Sequence, residues 1–196
     1  MKIWITAGMA LASVAAMANS FTVATFADPS GTSSNPVIYV DVNAFIIYGG
    51  WNQPGLTLET PGLIGGGSVS NAQFTMSTTS LTSIISGVYA LGSGTINFTD
   101  SSLNPVLNIT YTKGLVVLDG GAGSSDLRLD GVTFSGPNVP AGLSQEMYNF
   151  SFANGFDNGQ FVHSYTASFT SSAVPEPASM IALGAGLLAL ARRRRA

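Results

Sequence analysis

The chain of 196 residues has no cysteine, a single histidine and few positive charges. Without cysteine there is no disulfide, no thiolate zinc site, no cysteine nucleophile and no lipid anchor carried on a cysteine. A large enough core does without disulfides even in an oxidising compartment, so their absence is compatible with secretion. His163 is the lone histidine and no serine stands in a Gly-x-Ser-x-Gly elbow, which gives nucleophilic catalysis little to build on. Of seven basic residues, Lys2 stands near the start and Arg192, Arg193, Arg194 and Arg195 near the end, so only Lys113 and Arg128 lie between. Residues 19–173 hold nine of the ten acidic residues, all but Glu176, and carry a net charge of −7. Binding to a nucleic acid requires cations to neutralise phosphates, so no nucleic acid partner is expected.

What is present at the two ends reads as targeting. Residues 1–18 open on Met1-Lys2-Ile3-Trp4, continue as an apolar run and close on Ala16-Met17-Ala18. A positive residue, an apolar stretch and an A-x-A site predict a signal peptide cut after Ala18. The other end reads Val174-Pro175-Glu176-Pro177, then an uncharged stretch over 178–191, then the four arginines. The two prolines are expected to break any strand or helix there. The 14 uncharged residues would reach about 21 Å as a helix, against a hydrocarbon core of about 30 Å. The arginines compensate for that shortness, because long basic side chains snorkel and clustered arginine stays on the cytoplasmic side. The expected arrangement is a membrane helix with the middle domain outside and the arginines inside.

The Pro-Glu-Pro motif, the apolar stretch and the arginine cluster, standing in that order, resemble the PEP-CTERM sorting signal. The resemblance covers 174–196 and is silent about the middle domain. It implies export by a Gram-negative bacterium that makes extracellular polysaccharide. It also implies a membrane-anchored intermediate that an exosortase processes, delivering the protein to the cell surface or matrix. An ordinary tail anchor is the alternative.

Residues 19–173 read as one all-β ectodomain. Period-two alternation runs through Ile38, Val40, Val42, Ala44 and Ile46, through Leu107, Ile109 and Tyr111, and through Phe161, His163, Tyr165, Ala167 and Phe169. Shorter runs lie at 21–26, 69–76, 94–99, 126–134 and 147–152, separated by Gly, Pro and Asn-Gly turn signals. The pattern predicts an antiparallel β-sandwich or jelly roll, with a solenoid as the alternative. Phe26-Ala27-Asp28 leading to Asn35-Pro36, and Phe98-Thr99-Asp100 leading to Asn104-Pro105, suggest two equivalent hairpins.

Three kinds of chemistry are open to this domain. Sugar rings stack on aromatic faces while amides bond their hydroxyls, and Tyr48, Trp51, Asn52 and Gln53 offer both within one loop. Asp119, Asp126 and Asp130 flank a Gly-rich stretch whose hard oxygens suit Ca²⁺; the other reading is a hairpin loop with Arg128 between Asp126 and Asp130. Glu59 and Glu146 are the only glutamates available for paired-carboxylate glycosidase or lyase chemistry, and their spacing does not favour it. Three Asn-x-Ser/Thr strings at Asn97, Asn108 and Asn149 match the glycosylation sequon, but asparagine beside threonine is also common on exposed strands. The composite expectation is a non-enzymatic cell-surface or matrix protein, associated with extracellular polysaccharide, needing no cofactor. A carbohydrate-binding module on the same scaffold is the alternative.

Overall fold

The structure is a computed structural model, and it describes residues 20–27, 37–118, 125–157 and 161–175. The expected signal peptide, Asp119, Glu176, Pro177, the uncharged stretch and the four arginines lie outside the described residues. Fourteen strands and no helix are found among the described residues. In chain order they are β1 (Phe21–Phe26), β2 (Ile38–Asp41), β3 (Ile46–Trp51), β4 (Thr57–Glu59), β5 (Ser68–Ser70), β6 (Gln73–Ile85) and β7 (Val88–Leu91). They continue as β8 (Gly94–Thr99), β9 (Pro105–Tyr111), β10 (Lys113–Val117), β11 (Ser125–Asp130), β12 (Thr133–Ser135), β13 (Leu143–Asp157) and β14 (Phe161–Pro175). The all-β expectation holds, with every ladder antiparallel.

The strands form one hydrogen-bonded network in the order β12-β9-β8-β6-β7-β10-β11-β13-β14-β1-β4-β5, and β2 and β3 bridge β14 back to β6. Two strand pairs run end to end along a shared neighbour. β7 and β8 both pair β6, and β1 and β2 both pair β14. The core is aromatic. Phe98 of β8 stacks on Phe169 of β14 at 5.0 Å between ring centroids, and Phe26 of β1 meets Phe74 of β6 at 5.7 Å. Neither pair belongs to strands that share a ladder, so the sheet curves over on itself and the rings fill the space between its halves. Offset and edge-on ring pairs of this kind add about 0.5–1.5 kcal/mol each beyond the area they bury. Ser171 completes the interior. Its Oγ accepts from Ala24 N at 3.0 Å and donates to Ala24 O at 2.9 Å, serving both backbone groups where the β1–β14 register shifts.

The edges are short. β12 has three residues, and the carboxylate of Glu146 in β13 accepts the backbone N–H of Phe134, which occupies a donor that an open edge would offer to another chain.

Two expectations are corrected. The alternating run from Ile38 to Ile46 is two strands, β2 and β3, because a turn interrupts it at 42–45. Asp41 Oδ1 accepts from Asn43 N at 2.9 Å and Ala44 N at 2.8 Å, and Phe45 takes a left-handed φ of 53°. The two suggested hairpins are not equivalent. β8 and β9 do form one, but β1 and β2 pair with opposite ends of β14 rather than with each other. At the tail β14 runs through Val174 and Pro175, opposite Ser144 and Leu143, and the rest of the expected break, Glu176 and Pro177, lies outside the described residues. Pro175 lies past the last rung that β14 makes with β1, Phe21 to Ala173, so its missing N–H costs no ladder bond on that side.

Candidate functional site

The β2–β3 hairpin builds the most distinctive surface feature. Its register sets Tyr39 opposite Tyr48, with ring centroids 4.8 Å apart and planes at 33°. Alternation turns Ile38, Val40, Ile47 and Trp51 inward and Tyr48 outward, at 39% exposure. Next to Tyr48 come two glycines. A Cβ on Gly49 would stand 2.8 Å from the carbonyl oxygen of Val37, and one on Gly50 3.0 Å from that of Phe74. No larger residue fits without displacing backbone. A groove of about 330 Å³ lies beside them, bounded by Tyr39, Tyr48, both glycines, Trp51, Asn52 and Thr75. Partial burial, with Tyr39 and Asp41 nearby, raises the Tyr48 phenol above its ordinary value, so the phenol keeps its proton at neutral pH.

Tyr48, Trp51, Asn52 and Gln53 are thus brought to one place, in altered roles. Trp51 is 7% exposed and cannot serve as an open stacking platform, because position 51 falls on the inward side of β3. The exposed ring here is that of Tyr48, with Tyr39 packed against it. Asn52 and Gln53 are exposed and bonded to each other, Gln53 Nε2 donating to Asn52 Oδ1 at 3.1 Å. Trp51 Nε1 is buried without an acceptor. Tyr39 went unpredicted because the β2–β3 turn did. The signal was Asp41, an Asx-turn former two residues after Tyr39.

From the groove a row of polar residues crosses the same outer side. The registers set Gly50 beside Thr75, Thr75 beside Asn97, Asn97 beside Asn108 and Asn108 beside Ser135. Asn108 Nδ2 donates to Asn97 Oδ1 at 2.7 Å. Two of the three sequon asparagines are therefore cross-strand neighbours. The third, Asn149, lies elsewhere, opposite Arg128.

The acidic strand β11 presents Asp126, Arg128 and Asp130 on its exposed side, between buried Leu127 and Leu129. Asp126 accepts from Ser151 Oγ at 2.7 Å, and Arg128 Nε stands 3.8 Å from Asp130 Oδ1. β10 and β11 pair antiparallel, and the loop expected between them, 119–124, lies outside the described residues; Arg128 stands beside Asp130, while a serine rather than Arg128 serves Asp126. Among the described residues no three His, Asp or Glu side chains converge as a metal site would need. Glu59 is exposed on β4, and the Glu146 carboxylate is engaged by the Phe134 N–H. His163 stands opposite Tyr39 in the β14–β2 ladder.

At the tail, Ser144 Oγ donates to Val174 O at 3.1 Å, fixing the residue before the Pro-Glu-Pro motif to β13. Residues 173–195 match the PEP-CTERM protein-sorting motif. A motif of this kind implies an exported protein with a C-terminal membrane-anchored stage before processing by an exosortase. No curated protein and no solved structure matches the chain. Among the described residues no helix is long and apolar enough to cross a membrane.

Proposed function

We propose that this chain is an exported, non-enzymatic protein of the cell surface or extracellular matrix, sorted through its tail and associated with extracellular polysaccharide. The observation that carries the reading is the sorting motif over 173–195. In this reading residues 1–18 are a removable signal peptide, and the ectodomain is a β-sandwich or jelly roll. The uncharged stretch with its arginines holds the chain in the inner membrane until processing. The test is the intact mass of the protein from its native surface fraction, with and without the sorting enzyme. The expected mass begins at Asn19 and lacks the segment after Pro177 only when the enzyme is present. A tail kept in both would make it an ordinary anchor and remove the exosortase from the account.

A second reading, a carbohydrate-binding module on the same scaffold, is favoured by the tyrosine groove. Exposed aromatic rings beside amides and hydroxyls suit the two sides of a sugar, its C–H face and its hydroxyl rim. An exported glycosidase or lyase has less support, because the Glu146 carboxylate already binds a backbone N–H.

A further inference from the structure

We infer that the ectodomain holds an extended, uncharged glycan, stacked on Tyr48 in the groove and laid across the sheet along Thr75, Asn97 and Asn108. This inference rests on the carbohydrate-binding reading above and specifies its ligand and its track.

Three observations carry it. The track is long. Strands stand about 4.8 Å apart, so the four steps from Gly50 to Ser135 span about 19 Å, room for several sugar rings. The track is also uncharged, for Gly50, Thr75, Asn97, Asn108 and Ser135 offer only hydroxyls and amides. The stretch between the chain's two ends carries −7, which repels an acidic polymer and leaves a neutral one unpenalised. The groove end holds an exposed ring. Tyr48 is 39% exposed with Tyr39 packed against it, and Asn52 and Thr75 border the same groove, so a ring face stands beside amide and hydroxyl groups, the two things a sugar uses. A peptide is served less well. Along this face the backbone groups are spent in ladders, so an added strand would find no main-chain partners, whereas rings, amides and hydroxyls are what a sugar uses.

The test uses the full-length chain in detergent, with neutral β-glucan oligosaccharides from disaccharide to hexasaccharide and a polyuronate as the acidic control. The readouts are calorimetric affinity and the indole N–H resonance of Trp51, assigned with Trp4→Phe. The hexasaccharide is expected to bind more tightly than the disaccharide and to shift the Trp51 resonance. Tyr48→Ala should weaken both oligosaccharides about tenfold, the equivalent of one lost ring contact. Asn97→Ala should weaken the hexasaccharide alone, by about fivefold, the value of one hydrogen bond. Thr75→Ala replaces Asn97→Ala if the latter melts early. Binding that depends on Tyr48 but ignores chain length and Asn97 overturns the track and leaves the groove as a sugar site. No binding of any neutral glycan overturns the carbohydrate-binding reading itself. Tighter binding of the polyuronate overturns the uncharged ligand.

Discussion

The outer side of β3, β6, β8, β9 and β12 and the outer side of β10, β11 and β13 rest on the same kind of interior, yet they are chemically opposite. Beneath the first, Phe74, Ile96, Phe98, Leu107 and Ile109 point inward; beneath the second, Val116, Leu127, Leu129, Tyr148 and Phe150 do the same. The alternation that builds the core therefore does not distinguish them. The distinction lies in the interleaved residues. On the second side Asp126, Arg128 and Asp130 meet Ser151 and one another, so each charge is answered by a neighbour. A groove of about 420 Å³ lies there between Val117, Arg128 and Asn149, with no aromatic ring exposed beside it. On the first side a groove lined by Gly49 and Gly50 lies next to Tyr48, and uncharged amides run away from it. One surface carries charges, while the other carries an exposed tyrosine ring and uncharged amides and hydroxyls.

The strongest way to break this comparison is through the core that both surfaces share. Phe98 is 1% exposed and meets Phe26, Phe74 and Phe169 at 6.2, 5.5 and 5.0 Å. Phe98→Ala is expected to cost about 3–5 kcal/mol, the range for emptying a buried aromatic site. That is a large share of the 5–15 kcal/mol or so that holds a domain folded. Denaturant unfolding followed by Trp51 fluorescence measures it. A loss below about 1 kcal/mol would mean that the two halves of the sheet do not depend on this ring cluster.

How far the comparison was legible beforehand depends on the element. β1 and β8 were readable to the residue, because each is a short alternating run closed by polar residues. The β2–β3 hairpin was not, because Val42 and Ala44 carry the apolar alternation straight through the turn. The turn depends on the Asp41 carboxylate and on a non-glycine residue, Phe45, at positive φ, and neither shows in hydrophobic period. The long strand β6 was cut short for the opposite reason. Its Ser77, Thr78, Thr79 and Ser80 have no apolar beat, and Thr79 and Ser80 are held by partners on β3. At the site, Tyr48 and Asn52 could be picked out as sugar-binding types. The burial of Trp51 could not, since it depends on which side of β3 faces the core. The Asn97–Asn108 pair was visible only as two sequons, because cross-strand register is invisible in a linear string.

A finer test concerns the edge of the uncharged surface. Burial raises the Glu146 carboxyl above its ordinary value, although the Phe134 N–H pulls the other way. A raised folded-state value means that the folded chain holds this proton to higher pH than the unfolded chain does. Stability from this group is therefore intact below the ordinary glutamate range and falls as pH rises through and just above it. Glu146→Gln keeps an acceptor for the Phe134 N–H and removes the charge. Its melting temperature relative to the parent should rise across that acid window and stay level beyond it. A difference that shrinks with rising pH would show that the ionised carboxylate is the form the edge prefers.

The smallest effect belongs to the charged surface. Arg128 and Asp130 are exposed and stand 3.8 Å apart, with side chains 68% and 48% accessible. Water and salt screen such a pair, so Arg128→Ala should cost no more than about 0.5 kcal/mol, and less in high salt. It should also leave neutral-glycan affinity unchanged, because Arg128 and the Gly50–Ser135 row occupy separate surfaces. A double-mutant cycle with Asp130→Ala, read by thermal melting, isolates the pair from the effect of each truncation. A coupling well above 1 kcal/mol, or a change in glycan affinity, would join the two surfaces energetically. The division of labour drawn from their side chains would then fail at its weaker half.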